Sequence, residues 1–276
     1  MAGRQSNLSR YLMRAMLAAG SVCLAILLAA AIRARANTRS YVVTYRLIAD
    51  QAQVTPQALE ESARIVRARI GMLARSYALK AWTVETEPED RLRITFRTQL
   101  DPAEALDWAT MTGKAEFCLV HPDAGILEAE APEDLPAEYQ VKVYNELRYS
   151  LSRPGEMRRY TQKYLICKEP LMRVNRFAAV DFATVGLKKE TVLTFKFDEE
   201  QGNQFEDLTA VNVGRQMAML IDDELFFPPS QIASAVVGGA VQVRGYFYNP
   251  PLRKLVKMLN AGTLSGRLEK VSQQVE

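Results

Sequence analysis

Between Arg39 and Val120 the apolar residues switch repeatedly between a two-residue and a 3.6-residue period, and the order of those switches admits few folds. Tyr41, Val42, Val43, Tyr45 and Leu47 form a β-branched and aromatic run that predicts a strand over Arg39 to Asp50. Thr55 then offers a helix N-cap, with Pro56 at the first helical position. Leu59, Ala63, Val66, Ile70 and Leu73 follow on one helical face, while Arg64, Arg67 and Arg75 decorate the other side. Leu79 to Glu87 and Leu92 to Arg97 read as two strands around the turn Pro88-Glu89-Asp90-Arg91. Asp101-Pro102-Ala103-Glu104 is a capping-box start for a helix carrying Ala105, Leu106, Trp108 and Ala109, which Gly113 ends. Ala115 to Val120 supplies the last strand. The order β-α-β-β-α-β predicts a ferredoxin-like unit, two helices on one sheet face, over about 37–121.

The rest of the chain predicts a second α+β lobe. Residues 122–163 show no clean period, with 138–150 open to a helical reading, and place Glu128, Glu130, Glu133, Asp134 and Glu138 ahead of Arg148, Arg153, Arg158, Arg159 and Lys163. This stretch reads as a surface insertion. Over 164–276, Tyr164 to Cys167 and Thr191 to Phe197 read as strands, and Asp198 with Gln201 caps a helix burying Phe205 and Leu208. Met217 to Ile221 and Leu225 to Phe227 are strands around Asp222-Asp223-Glu224, and Ala240 to Phe247 is another after Gly238-Gly239. Asn249-Pro250 opens a final helix with Leu252, Leu255, Val256 and Leu259 on one face, stopped at Gly262. The polar tail from Arg267 reads as frayed.

Ahead of all this, Ala15 to Ile32 is uncharged between Arg14 and Arg33. As a helix it would span ~27 Å against a bilayer core of ~30 Å. Residues 1–36 are therefore read as a cytoplasmic tail and a transmembrane anchor meeting lipid through 15–32. A cleaved signal peptide (Ala34-Arg35-Ala36) and a lipoprotein anchor at Cys23 are the alternatives. Arginines flank both ends, so the positive-inside count nearly balances. A short tail before a first helix usually stays inside. This gives an inner-membrane, single-pass chain with its C-terminal part in the periplasm or another extracytoplasmic space. There Cys118 and Cys167 are open to a disulfide or to two buried thiols.

Charge and composition exclude several functions. The chain holds 35 basic and 32 acidic residues; five arginines precede Asn37, no acid precedes Asp50, and the remainder carries 30 basic and 32 acidic, net −2. A basic nucleic-acid footprint is thus not expected on the folded part. A structural zinc site wants about four N/S ligands, which His121 with Cys118 and Cys167 cannot comfortably supply, and His121, before Pro122, reads as a surface residue. There is no phosphate-binding Gly-Lys-Ser/Thr loop, no G-x-S-x-G elbow and no His-Glu-x-x-His helix. A hairpin turn accounts for Asp222, Asp223 and Glu224 better than a cation site does. No cofactor, metal or catalytic residue is expected.

The motifs of the last third resemble the first periplasmic domain of the SecD/SecDF family. They are Gly202 and Phe205, then Thr209, Asn212 and Gly214 ahead of the apolar strand, then Asp222 in the turn, Pro229 before Ile232, Gly238-Gly239 through Gly245-Tyr246-Phe247, and Ala261-Gly262-Thr263-Leu264. Thr55-Pro56 to Arg69 with Gly71, and Gly113 to Phe117, are similar in the first part. The family glycine after the turn aspartate is Asp223 here, and the six membrane helices that follow in the family find no counterpart in this sequence. The resemblance implies a base and a head, no enzymatic activity, and a role in Sec-dependent export. The implied partners are the Sec translocon or SecD/SecF-type subunits and unfolded exported polypeptides. An envelope scaffold that keeps the fold is the alternative. Leu225, Phe226, Phe227 and Pro229, with Tyr246 and Tyr248, are the candidate polypeptide contacts, although the same residues suit core strands and a packed turn better.

Overall fold

The computed structural model describes residues 38–49, 53–122, 136–149, 157–185, 190–245 and 250–276. The anchor at 15–32 lies outside them, and among the described residues no helix is long and apolar enough to cross a membrane.

The base is a four-stranded antiparallel sheet with helices on one face. Its first strands are β1 (Arg39–Ala49), β2 (Lys80–Glu87) and β3 (Arg91–Thr98). Helix α1 (Pro56–Leu73) starts where predicted, with the Thr55 hydroxyl accepting from the Ala58 amide at 3.1 Å. It buries the predicted stripe from Leu59 to Leu73 against Tyr41, Val43, Leu92, Ile94 and Phe96. Helix α2 (Ala103–Thr110) starts differently. Asp101 accepts from the Ala103 amide, but Glu104 reaches away from the cap to Lys254 at 2.8 Å.

The fourth strand is the main correction to the sequence reading. Strand β4 (Ala115–Leu119), expected to close the base sheet, leaves it. Its place beside β1 is taken by β14 (Gly266–Val275), the tail expected to be frayed, so the sheet order is β14-β1-β3-β2. The register runs from Tyr41↔Val275 to Ala49↔Gly266. The reason is physical: an edge strand is held by backbone hydrogen bonds and needs few apolar side chains. Of β14 only Gly266 and Leu268 are buried, leaving no hydrophobic pattern to find.

The head uses β4 as a centre. The hairpin β5 (Tyr139–Tyr149) and β6 (Met157–Cys167), the short β7 (Met172–Val174), β8 (Ala179–Val185), β9 (Glu190–Lys196), α3 (Glu199–Val211), β10 (Gln216–Ile221), β11 (Glu224–Leu225), β12 (Ser230–Gln231), β13 (Ala240–Gly245) and α4 (Pro250–Ala261) complete it. One sheet runs β11-β10-β4-β7, with β12 also on β10; a second runs β13-β9-β8. The period of two divides β4 and β10 between two cores. Ala115, Phe117, Met219 and Ile221 face an aromatic core containing Phe177, Phe195, Phe197, Phe205 and Phe227. Cys118, Val120, Ala218 and Leu220 face the other way, onto Tyr144, Tyr164 and Ile166 of the hairpin. Within 138–150, Tyr139–Tyr149 is thus a strand and not a helix. The alternation of Tyr139, Val141 and Val143 against Gln140 and Lys142 is the signal for it.

Candidate functional site

The residues that carry the resemblance hold the head together. Thr209 is fully buried at the end of α3, and its hydroxyl accepts from the Val236 amide at 2.8 Å while donating to the Phe205 carbonyl. Asn212 donates to the Leu208 carbonyl at 2.9 Å and accepts from Arg215. Gly202 lets α3 lie against the Gly238-Gly239 loop: a Cβ there would stand 2.9 Å from the Gly239 Cα. Phe205 is central in the aromatic core, Gly214 turns the chain after α3, Gly245 ends β13 and Gly262 follows α4.

The named polypeptide contacts are placed mostly inside. Leu225 and Phe227 are buried, Phe226 and Pro229 are half-buried, and the Phe226 ring sits 6.5 Å from Trp108. Tyr246 and Tyr248 lie outside the described residues. Nor does the acidic turn gather for a cation. Asp222 accepts from the Thr112 hydroxyl and from the Gly113 and Lys114 amides at 3.0 and 3.1 Å, and Asp223 pairs with Lys142 at 2.5 Å. Among the described residues no group of His, Cys, Asp and Glu could hold a metal. Cys118 and Cys167 are free thiols, and burial pushes the Cys118 thiol up to about 12. The His121 ring packs edge-on against Tyr139.

An apolar groove remains, and the site-residue reading above missed most of it. It is a cavity of about 230 Å³ between β13 and the Ser230–Val236 segment, floored by Phe117, Met217, Met219 and Phe227. No charged residue lines it. The sequence signal was there: Leu225 to Val243 contains no charge at all. Val241 and Val243 of β13 are half-buried toward the groove, while Gln242 and Arg244 are exposed. Among the described residues strand β13 pairs with β9 alone, and no strand is placed on its other edge. The opposite edge of the same sheet is capped at one position, Val180. There the Asn260 side chain of α4 acts as a piece of strand, accepting from the Val180 amide at 2.9 Å and donating to its carbonyl at 2.7 Å.

A second arrangement, also missed, fixes this head on the base. The chain crosses between the lobes at Met111–Lys114 and at Gly262–Ser265, and the crossings are joined by the Leu264 amide donating to the Thr112 carbonyl at 2.9 Å. Arg69 of α1, fully buried, reaches both. Its guanidinium donates to the carbonyls of Ala109 (3.2 Å) and Met111 at the end of α2, and of Met258 (3.3 Å) and Gly262 (2.6 Å) at the end of α4. These are carbonyls that helix ends leave without partners, at the negative ends of two helix dipoles. Burial lowers the Arg69 pKa to about 10, against the opposing pull of Asp222, so it remains a cation at neutral pH. Asp222 holds the other side of the first crossing, with Gly113 (φ +83°) between the two charges; a Cβ there would be 3.2 Å from the guanidinium. The sequence signal is a lone base on the apolar stripe, between Val66 and Ile70.

Comparison with known proteins agrees with this architecture. Residues 150–265 match the sequence model of the SecDF P1 head subdomain. The protein translocase subunit SecD of Calditerrivibrio nitroreducens is 21% identical over 233 residues, 83% of this chain and 43% of that protein. SecD of Rickettsia felis is 22% identical over 78% of this chain and 38% of its own length, and SecD of Acidaminococcus fermentans is 34% identical over 85 residues. The chain thus spans less than half the length of these relatives. A crystal structure of SecDF in its super-membrane-facing form shares the fold over 86% of this chain and 30% of that one (TM-score 0.56, 16% identity). A structure of SecDF, described as a membrane component that enhances protein export, shares it over 85% of this chain and 98% of that one (TM-score 0.52, 17% identity). The head match over 150–265, the SecD relatives along most of the chain and the shared fold make this chain similar to the first periplasmic domain of the SecD/SecDF family.

Proposed function

We propose that this protein is a non-enzymatic accessory of Sec-dependent protein export, anchored in the inner membrane through 15–32, with its described lobes outside. Its head takes an extended stretch of a translocating polypeptide along β13. The observation that carries the reading is the contrast between the two edges of one sheet. The β8 edge is capped at Val180 by the Asn260 side chain, whereas among the described residues no strand or side chain is placed on the β13 edge beside an uncharged apolar groove. Strand addition at such an edge draws affinity from main-chain hydrogen bonds and tolerates many sequences, as an export accessory requires. Binding of this kind needs no catalytic group. The Sec channel or SecD/SecF-type subunits are the partners that bring the polypeptide there.

The test is binding of the full-length protein, in lipid nanodiscs, to a fluorescently labelled, reduced and carboxymethylated α-lactalbumin as an unfolded chain. Val241→Glu with Val243→Glu puts charge into the groove and is expected to weaken binding tenfold or more. Equal binding by both proteins defeats the groove assignment. Affinity purification from gently solubilised membranes is expected to enrich Sec components. Recovery of other envelope proteins in their place would support the scaffold reading instead.

A further inference from the structure

The base sheet has two edges, β2 and β14, and they are defended unequally. An edge strand invites pairing with another chain and is normally blunted by charge or by a bulge. Strand β2 has both: Lys80, Glu85 and Glu87 stand along it, and its register breaks around Ala81, at φ +47°. The first half of β14 is similar, with Arg267, Glu269 and Lys270, and with Val271 as an extra residue opposite the Thr44–Tyr45 step. Beyond that point the defence stops. Val271-Ser272-Gln273-Gln274-Val275 has no charge, no proline and no glycine, and every one of these residues is exposed, Val271 at 48% and Val275 at 52%.

The backbone of this stretch faces outward at alternate residues. Ser40 and Glu276 exchange both main-chain bonds, at 3.0 and 2.9 Å. Counting back from that pair, the antiparallel ladder turns Gln274 and Ser272 toward β1, and Val275 and Gln273 away from it. Among the described residues no strand lies on that outer side.

The same stretch is complementary to itself. Antiparallel pairing of two copies about Gln273 sets Ser272 opposite Gln274 and Val271 opposite Val275. One step farther it sets Lys270 opposite Glu276, at both ends by symmetry. Lys270 otherwise reaches only Gln273 of its own strand, at 3.4 Å, and neither Lys270 nor Glu276 is in an ion pair among the described residues. Within one copy Val275 stands opposite Tyr41, which stands opposite Phe96, the two rings stacked at 5.2 Å. Val271 of the second copy prolongs that apolar row. Opposed opposite charges and opposed β-branched residues both stabilise a pair of strands.

We infer that the 270–276 edge of β14 is a homodimer interface, at which two copies of this chain join their base sheets across a two-fold axis at Gln273. Register and charge select a second copy as the occupant, since a pairing centred elsewhere loses both Lys270–Glu276 contacts. The interface lies on the base sheet, apart from β13, and is independent of the export reading.

Disulfide cross-linking in membranes tests it, with two differently tagged copies of the full-length protein in which Cys23, Cys118 and Cys167 are changed to alanine. On oxidation with copper phenanthroline, Gln273→Cys should link to its own kind, and Val271→Cys in one copy to Val275→Cys in the other. Val275→Cys should link to its own kind at least fivefold less. Lys270→Glu or Glu276→Lys alone should lower the Gln273→Cys cross-link at least fivefold, and the two together should restore it, which a merely misfolded variant cannot do. Absence of the cross-link, equal linking at all positions, no recovery in the double reversal, or capture of a different protein by Gln273→Cys overturns the proposal.

Discussion

At the base–head junction, charge is buried and enclosed. Arg69 is shared among four carbonyls and Asp222 among two amides and a hydroxyl, and the two crossings of the chain are bonded to each other. In the groove beside β13, within the same head, no charged residue lines the wall, Val241 and Val243 are half-buried and, among the described residues, no strand pairs with the outer edge of β13. The contrast shows how one small lobe meets two demands. Where the head must keep its place, a desolvated ion is surrounded by groups that have no other partner. Where we propose that it receives an unfolded chain, the available groups are backbone, and the side chains supply a dry wall.

The largest test of that contrast is Arg69→Met. The substitution keeps the packing volume and strands four buried carbonyls, so a loss of ~3–5 kcal/mol is expected in urea unfolding. A loss below ~1 kcal/mol would mean that the junction does not depend on the ion. Asp222→Ala removes charge-assisted bonds from the head side and should cost ~2–3 kcal/mol, with Asp222→Asn recovering part of it.

A third change carries the character of one edge to the other. Asn260→Leu uncovers the Val180 amide and carbonyl on β8 and should cost ~1–2 kcal/mol. It should also give the sheet a second edge able to take up the labelled unfolded chain; binding confined to β13 in this variant would show that the groove, and not edge exposure, selects. The smallest effect concerns the thiols. Iodoacetamide should label half-buried Cys167 in the native protein and spare Cys118. The folded state holds the Cys118 proton up to about pH 12, while the unfolded thiol loses it near its ordinary value of 9.0. Stability should therefore decline as the pH rises from 9 toward 12, and Cys118→Ala should flatten that decline.

What could be read from the sequence follows the physics of each element. Helix α1 announced itself through Thr55, Pro56 and a stripe from Leu59 to Leu73, and α3 through the Asp198 cap, because apolar period and capping are local signals. Strand β14 gave no such signal: its order comes from the backbone of β1, more than two hundred residues earlier. Its partner exchange was equally hidden, since β4 is apolar on both faces and would suit either sheet. Among site residues, the motif glycines and Thr209 were visible but turned out to hold the scaffold. The groove showed only as an absence of charge from Leu225 to Val243, and Arg69 only as a misfit on an otherwise apolar face.

The identity of the fourth base strand also sets an order of events. Because β14 follows the entire head in the chain, the base sheet cannot be completed while a polypeptide is still emerging up to α4; β1, β2 and β3 must wait with one side of β1 unpaired. The head has no such dependence, as β4 to α4 are contiguous in sequence. Closing a sheet across so long an interval is slow, and the waiting strand is an exposed edge of its own. Synthesis from the N-terminus is therefore expected to complete the head before the base. In that interval β1 itself presents the kind of open strand that β13 offers in the mature fold.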